Sequence, residues 1–171
     1  MMKDGWVSVF SRDHPDLVNL SIGASSSVMG AYRSIFGTGM QAGDTLVWEY
    51  ALNDANHVRK GHSESRLLRF VEHLLIHGRT SGIHFAPIIF TPLPDERNLD
   101  HSPYHRQLHD LLRAYQLAPF DMSIEYRQAL GVQRLPREVF LNAAHYAHDD
   151  NVRDFIAKGA TRAVARQPAC P

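Results

Sequence analysis

The chain has 171 residues, 44% of them hydrophobic, with 18 Lys plus Arg against 18 Asp plus Glu. That length supports one domain with a proper core, and the balanced charge excludes a global pull toward nucleic acid or a lipid surface. A single cysteine, Cys170, excludes an internal disulfide. No apolar run reaches the ~20 residues of a bilayer span, and "MMKDGWVSVFSRDHPD" lacks the three regions of a signal peptide. The expectation is a cytoplasmic protein that binds neither membrane nor nucleic acid.

Met2, Trp6, Val9 and Phe10 recur at helical spacing ahead of Pro15, which predicts an amphipathic helix over residues 2–13. "LVNLSI" (17–22) reads as a strand, and "SSVMGAYRSIFGTGM" (26–40) as a helix with a glycine-rich exit. The apolar run Thr45–Tyr50 suits a strand covered on both faces, followed by Asn53 and Asp54. Leu67, Leu68, Val71, Leu74 and Leu75 define a helix over 64–77. "HFAPIIFTPLP" is a third apolar strand, residues 103–116 a helix, and "LAPFDMS" (117–123) a short fourth strand. A loop through "GVQRLPRE" leads to "NAAHYAHDD" and a closing helix from Asp150. Strands alternating with helices predict an α/β fold, a three-layer α/β/α domain with a mostly parallel, flavodoxin-like sheet. Residues 1–165 form the expected domain and 166–171 a frayed tail.

In an open α/β sheet, ligands bind outside the carboxyl ends of the strands. Three features fall there: the turn after "VNLSI", "ALND" after the Thr45–Tyr50 run, and "NAAHYAHDD" before the last helix. They supply backbone donors, a carboxamide and an imidazole. That set suits acyl transfer, in which an oxyanion needs neutral donors and a serine needs a base.

These motifs, in this order, resemble the SGNH/GDSL-type hydrolases, whose site is built from short blocks carrying Ser, Gly, Asn and His. "VNLSIGASSSVMG" resembles the second block, "LVWEYALND" the third, with Ala51 in place of the usual glycine, and "NAAH" the fifth. The resemblance implies His145 as general base, Asn53 as the oxyanion-hole carboxamide, and the backbone N–H of Gly23 or Ala24 as second donor. Asn142 stands where the family usually has Asp; a neutral amide can orient the imidazole but cannot offset an imidazolium charge. Asp149 and Asp150 are weak stand-ins on the far side of His145.

In the family the nucleophile sits in a Gly-Asp-Ser block at the end of a first strand. Gly23-Ala24-Ser25 could mimic it, with Ser25 as nucleophile. The following ~25–30 residues would then have to hold both a second block and its strand, which is too much for one crossover. "SIGASSS" is therefore read as the second block, with the nucleophile outside this chain. The family sheet order, 2-1-3-4-5, makes the missing N-terminal strand central. The expectation is a reading frame truncated upstream or started at an internal Met.

The reading that results is a serine esterase acting on a small-molecule O-acyl ester, with an O-acetyl carbohydrate as the family analogue, needing no cofactor or metal. A non-catalytic binding domain of the same fold and an O-acyltransferase stay open beside it. The bland reading of His145 is a solvent-facing loop histidine, and that of Asn53 an Asx turn. His101, His105 and His109, like His73 and His77, have the helical spacing of metal ligands but no completing carboxylate or cysteine, so solvated helix faces are expected. Trp48, Tyr50 and Phe90 read as core, and Arg59 with Lys60 as a surface turn.

Overall fold

The computed structural model describes residues 5–21, 25–37, 39–99 and 102–166. In chain order the elements are α1 (Trp6–Asp13), α2 (Ser27–Phe36), β1 (Thr45–Trp48), α3 (Ala51–Arg59), α4 (Glu64–Ser81) and β2 (His84–Ile89). Then come α5 (Leu93–Asn98), α6 (Pro103–Ala114), β3 (Phe120–Asp121), α7 (Met122–Leu130), a 3₁₀ turn at Arg137–Val139 and α8 (Asp150–Ala165). The sheet has the order β1-β2-β3 and is parallel throughout, with Thr45 opposite His84 and Ile88 opposite Phe120.

Side chains alternate across a strand, and β2 uses both faces. Ala86 and Ile88 point into an apolar cluster with Phe10 of α1 and Val152, Ile156 and Ala160 of α8. Phe85 and Ile89 point the other way, into a cluster with Leu67, Val71 and Leu74 of α4 and Leu108 and Leu112 of α6. Helices thus cover both faces of the sheet, which is the three-layer α/β architecture. Ile88 and Ile89 are fully buried, each contributing roughly 1.5–3 kcal/mol of apolar transfer. α8 packs so closely on β3 that the bare Cα of Gly159 lies against the Phe120 ring, where a side chain has no room.

Capping residues set several helix starts. The Ser63 hydroxyl accepts from the Arg66 N–H, Asp121 from Ile124, and Asp149 from Asn151. Gly82 and Gly131 close α4 and α7 in the left-handed conformation, at φ 69° and 66°.

Several expectations need correction. Residues 17–21 have no regular structure and belong to no described ladder; β1 pairs with β2 and faces this segment across a groove. The third strand stops at Ile89 rather than running to the prolines, since Pro92 starts the turn into α5. The fourth strand shrinks to Phe120–Asp121, because the Asp121 carboxylate caps α7 at once. α4 continues to Ser81, four residues past the expected end, until Gly82 allows the turn. The sequence reading did not anticipate α3, α5 or α7. Trp48 and Phe90 are core as expected, while Tyr50 is half-buried. Arg59, the last residue of α3, and Lys60, in the turn after it, are exposed as expected, and Arg59 pairs with Asp95 at 2.8 Å. No described helix is long and apolar enough to cross a membrane.

Candidate functional site

The carboxyl ends of β1 and β2 form one rim, and two of the expected residues stand on it. β1 passes through Glu49 and Tyr50 straight into α3, so Asn53 lies in the first turn of a helix rather than in an Asx turn. Its side chain is half-buried.

His145 belongs to a loop over the end of β2. Phe140 and Tyr146 form an antiparallel bridge and stack at 4.8 Å, holding 141–145 as an exposed tip. The Leu93 N–H donates to the Ala143 carbonyl at 3.0 Å. The buried Tyr146 hydroxyl donates to the Thr91 carbonyl at 3.1 Å and lies 3.0 Å from Ser123 Oγ. Burial pushes the Tyr146 hydroxyl well above the usual phenol range, so it stays a neutral donor. Together these contacts fasten the loop to the rim.

Within the tip, Asn142 Oδ1 accepts three hydrogen bonds: from Ala144 N at 2.9 Å, from His145 N at 3.0 Å, and from His145 Nδ1 at 3.0 Å. Two backbone donors identify this atom as the amide oxygen, and an oxygen acceptor requires the proton on Nδ1. Nε2 is left as the unprotonated nitrogen. That is the tautomer a general base needs.

The strongest polar cluster is one the sequence reading missed. Asp54, fully buried, accepts from Ser27 N at 2.9 Å through Oδ1. Its Oδ2 accepts from Ser27 Oγ in a very short bond and from the buried Tyr104 hydroxyl at 2.6 Å. Burial pushes the Asp54 carboxyl up, while the Ser27 and Tyr104 donors hold it down. The cluster ties the N-terminus of α2 to the first turn of α3, next to Asn53. Its signals were visible: Asp54 follows Asn53 directly, and Tyr104 lies four residues before Leu108 on the inward stripe of α6.

Glu49, beside it, is closely surrounded by protein, although solvent still reaches it through the groove. Burial, with the Asp54 charge adding to it, raises its carboxyl to about 8. Its ordinary value is near 4.5, so the unfolded chain loses this proton first as pH rises. The contribution of Glu49 is therefore favourable below about pH 4.5, declines through that window, and is flat above about pH 8. Glu49→Gln is expected to flatten the decline by roughly 2–4 kcal/mol in urea unfolding midpoints compared at pH 5 and pH 8. Equal pH slopes in the two proteins would contradict this assignment.

Gly23 and Ala24 lie outside the described residues. Ser25 is half-buried, two residues before α2. Asp149 and Asp150 do not serve His145: Asp149 caps α8 and Asp150 pairs with Arg153. Of the spaced histidines, His105 is buried, with Nδ1 2.9 Å from Ser102 Oγ and Nε2 3.3 Å from the Phe90 carbonyl. That corrects the solvated-face expectation for this residue. His109 lies 3.0 Å from Asp121, and His101 is outside the described residues.

No protein-family model matches the chain, and no curated protein matches it significantly. Solved structures do. A G-D-S-L family lipolytic protein from Veillonella parvula DSM 2008 aligns with TM-score 0.66 and 14% identity, over 97% of this chain and 90% of that one. A lipolytic protein of the same family from Desulfitobacterium hafniense DCB-2 gives 0.68 and 11%, over 94% and 89%. This is the G-D-S-L fold. The structure of TesA is similar too, at 0.67 and 16% identity, over 96% of this chain and 89% of that one. At such identities the likeness is one of fold, and within the G-D-S-L fold chemistry has to be argued from the site.

Proposed function

We propose that the chain is the larger part of a serine esterase that hydrolyses small O-acyl esters, its nucleophilic serine carried by a segment beyond these 171 residues. The serine Oγ attacks the acyl carbon as its proton passes to His145 Nε2. The carbonyl oxygen becomes an oxyanion and meets the Asn53 carboxamide and the N–H of Gly23 or Ala24. Collapse breaks the ester C–O bond, and the alcohol leaves with the proton from His145. Water, deprotonated by the same imidazole, then attacks the acyl-serine, and the returning proton frees the serine.

The observation that supports this reading is the 3.0 Å contact between His145 Nδ1 and Asn142 Oδ1, which puts the ring proton on Nδ1 and leaves Nε2 as the nitrogen able to accept one. An O-acetyl carbohydrate is the substrate class to which the resemblance leads, and a single cysteine fits a reducing cytoplasm. In a serine-bearing form assayed on p-nitrophenyl acetate, Asn53→Ala is expected to lower kcat about 10²–10³-fold with little change in KM. An unchanged kcat would remove Asn53 from the oxyanion hole.

A second reading, a non-catalytic binding domain of the same fold, is favoured by the neutral Asn142. Complete absence of turnover in the serine-bearing form would decide for it.

A further inference from the structure

α2 carries its bulky apolar side chains on its outer side. Its buried positions are Ser27, Gly30, Ala31 and Ser34, while Met29, Tyr32 and Phe36 stand 43%, 61% and 75% exposed. A surface helix that only covers its own core shows the reverse. The three lie at i, i+3 and i+7 and so form one stripe. Between α2 and α4 runs a groove of about 560 Å³, with Val28, Ile35 and Phe36 on one wall and Phe70, His73 and Ile76 on the other. Ile76 is itself 46% exposed. Open side chains of this size present about 150–250 Å² each, so the four exposed ones show roughly 450 Å². That is a large patch for a monomer, and more than half of the ~800 Å² that each partner brings to a stable interface.

Charge on this face has one sign and sits at one end. α2 contains no acidic residue. The two of α4 turn away: Glu72 accepts from the Tyr115 hydroxyl at 3.3 Å, and Glu64 has Oε1 buried. Arg66 and Arg69, both exposed, lie four residues before Phe70 and His73, hence on the same side of α4. Neither pairs with a carboxylate among the described residues. Arg79 lies over the Tyr115 ring at 5.3 Å, and Arg33 lines the cavity beside β1. α2 and α4 run in the same direction, since they lead into the parallel strands β1 and β2. Gly43 N, after α2, donates to the carbonyl of Gly82, just past α4, at 2.8 Å. The two guanidinium groups therefore stand at the Val28 end of the groove. The rings of Tyr32 and Phe36, 5.4 Å apart, lie further along.

We infer that this face binds the same face of a second copy of the chain, about a two-fold axis that sets α2 and α4 antiparallel to their counterparts. An isologous contact needs a surface that fits itself, and here a projecting ring and a groove share one face. Val28 and Phe36 are about 12 Å apart along α2. An axis near Tyr32 lays the Phe36 of each copy over the half-buried Val28 and Phe70 of the other. It also brings Arg66 and Arg69 of one copy to the Tyr32 and Phe36 rings of the second, where a cation meets an aromatic face. The two Arg66 side chains are then about 20 Å apart, beyond the screening length of ~8–10 Å, so the like charges do not oppose the contact. A parallel pairing would set them against each other. A lipid surface would draw on cations all round the patch, and these stand at one end. The pairing does not depend on the esterase reading.

The test is sedimentation equilibrium of the 171-residue chain between about 5 and 200 µM, where a dimer is expected. Phe36→Asp and Ile76→Asp are each expected to raise its dissociation constant about 30-fold or more, while Leu130→Asp, on an exposed residue of α7, leaves it unchanged. All three side chains are exposed, so the folded monomer is expected to keep its circular dichroism spectrum. A Cys170→Ser background carrying both Val28→Cys and Phe36→Cys is expected to form a disulfide-linked dimer on mild oxidation, and either cysteine alone is not. About 12 Å along one helix is too far for the two to close within a copy. A chain that stays monomeric at about 200 µM overturns the inference. So does a dimer that both Asp variants leave intact, which would use another face, and so does equal cross-linking by a single cysteine, which would mean a parallel pairing. A monomer that sediments with phosphatidylglycerol vesicles, and loses this in Phe36→Asp, also overturns it and gives the face to a lipid surface.

Discussion

Replacing His145 with alanine, in the serine-bearing form, is expected to lower kcat about 10⁴–10⁶-fold and leave KM nearly unchanged. The imidazole takes part in both proton transfers, so its removal stops attack and departure together. Stability is not expected to move, because the ring is exposed and the loop is held by Tyr146 and Leu93. Asn142→Ala is expected to cost less, about 10–100-fold, because it frees the ring without removing it. A His145→Ala protein that keeps more than a tenth of the activity would place the base elsewhere.

Asp54→Ala is expected to be the most destabilising single change at the rim, costing about 3–5 kcal/mol in urea unfolding at constant m. The carboxylate accepts from three donors, Ser27 N, Ser27 Oγ and Tyr104 OH, all out of solvent. Its loss leaves each of them desolvated without a partner, at about 1–3 kcal/mol apiece before relaxation. Tyr104→Phe removes one donor and leaves the other two bonds intact, so about 1–2 kcal/mol is expected. In the double mutant the costs should fall short of additive by at least about 1 kcal/mol, since both changes break one contact. A cost below 1 kcal/mol for Asp54→Ala would mean that water replaces the carboxylate, and that the cluster does not fasten α2 to α3.

Apolar runs and helical stripes carried most of the architecture. β1, β2, α4, α6 and α8 were legible because each has a sustained period of 2 or 3.6 or a two-sided apolar run. α5 and α7 were not. They are short, their burial rests on a few residues such as Glu96 and Met122, and a proline or an Asp cap interrupts the pattern they follow. "LVNLSI" has the composition of a strand, yet composition cannot supply a neighbour, and residues 17–21 stay outside the ladder. At the site, the order of motifs led to Asn53 and His145 because each follows an element end. The Ser27–Asp54–Tyr104 cluster joins residues 27 and 50 positions apart. Such contacts exist only once the crossovers have closed.

The loop that carries His145 is long and mostly irregular, yet it is bolted down in two separate places. Glu96, buried, accepts from Leu135 N at 2.9 Å and from Arg127 Nη1 at 2.9 Å, and Phe140 with Tyr146 closes the second bolt. Between α7 and the first bolt, Gln133 and Arg134 are exposed. Extra chain grafted there would hang outside both fastenings, so this tip is where a tag, a reporter or a whole guest domain can be carried without disturbing the histidine.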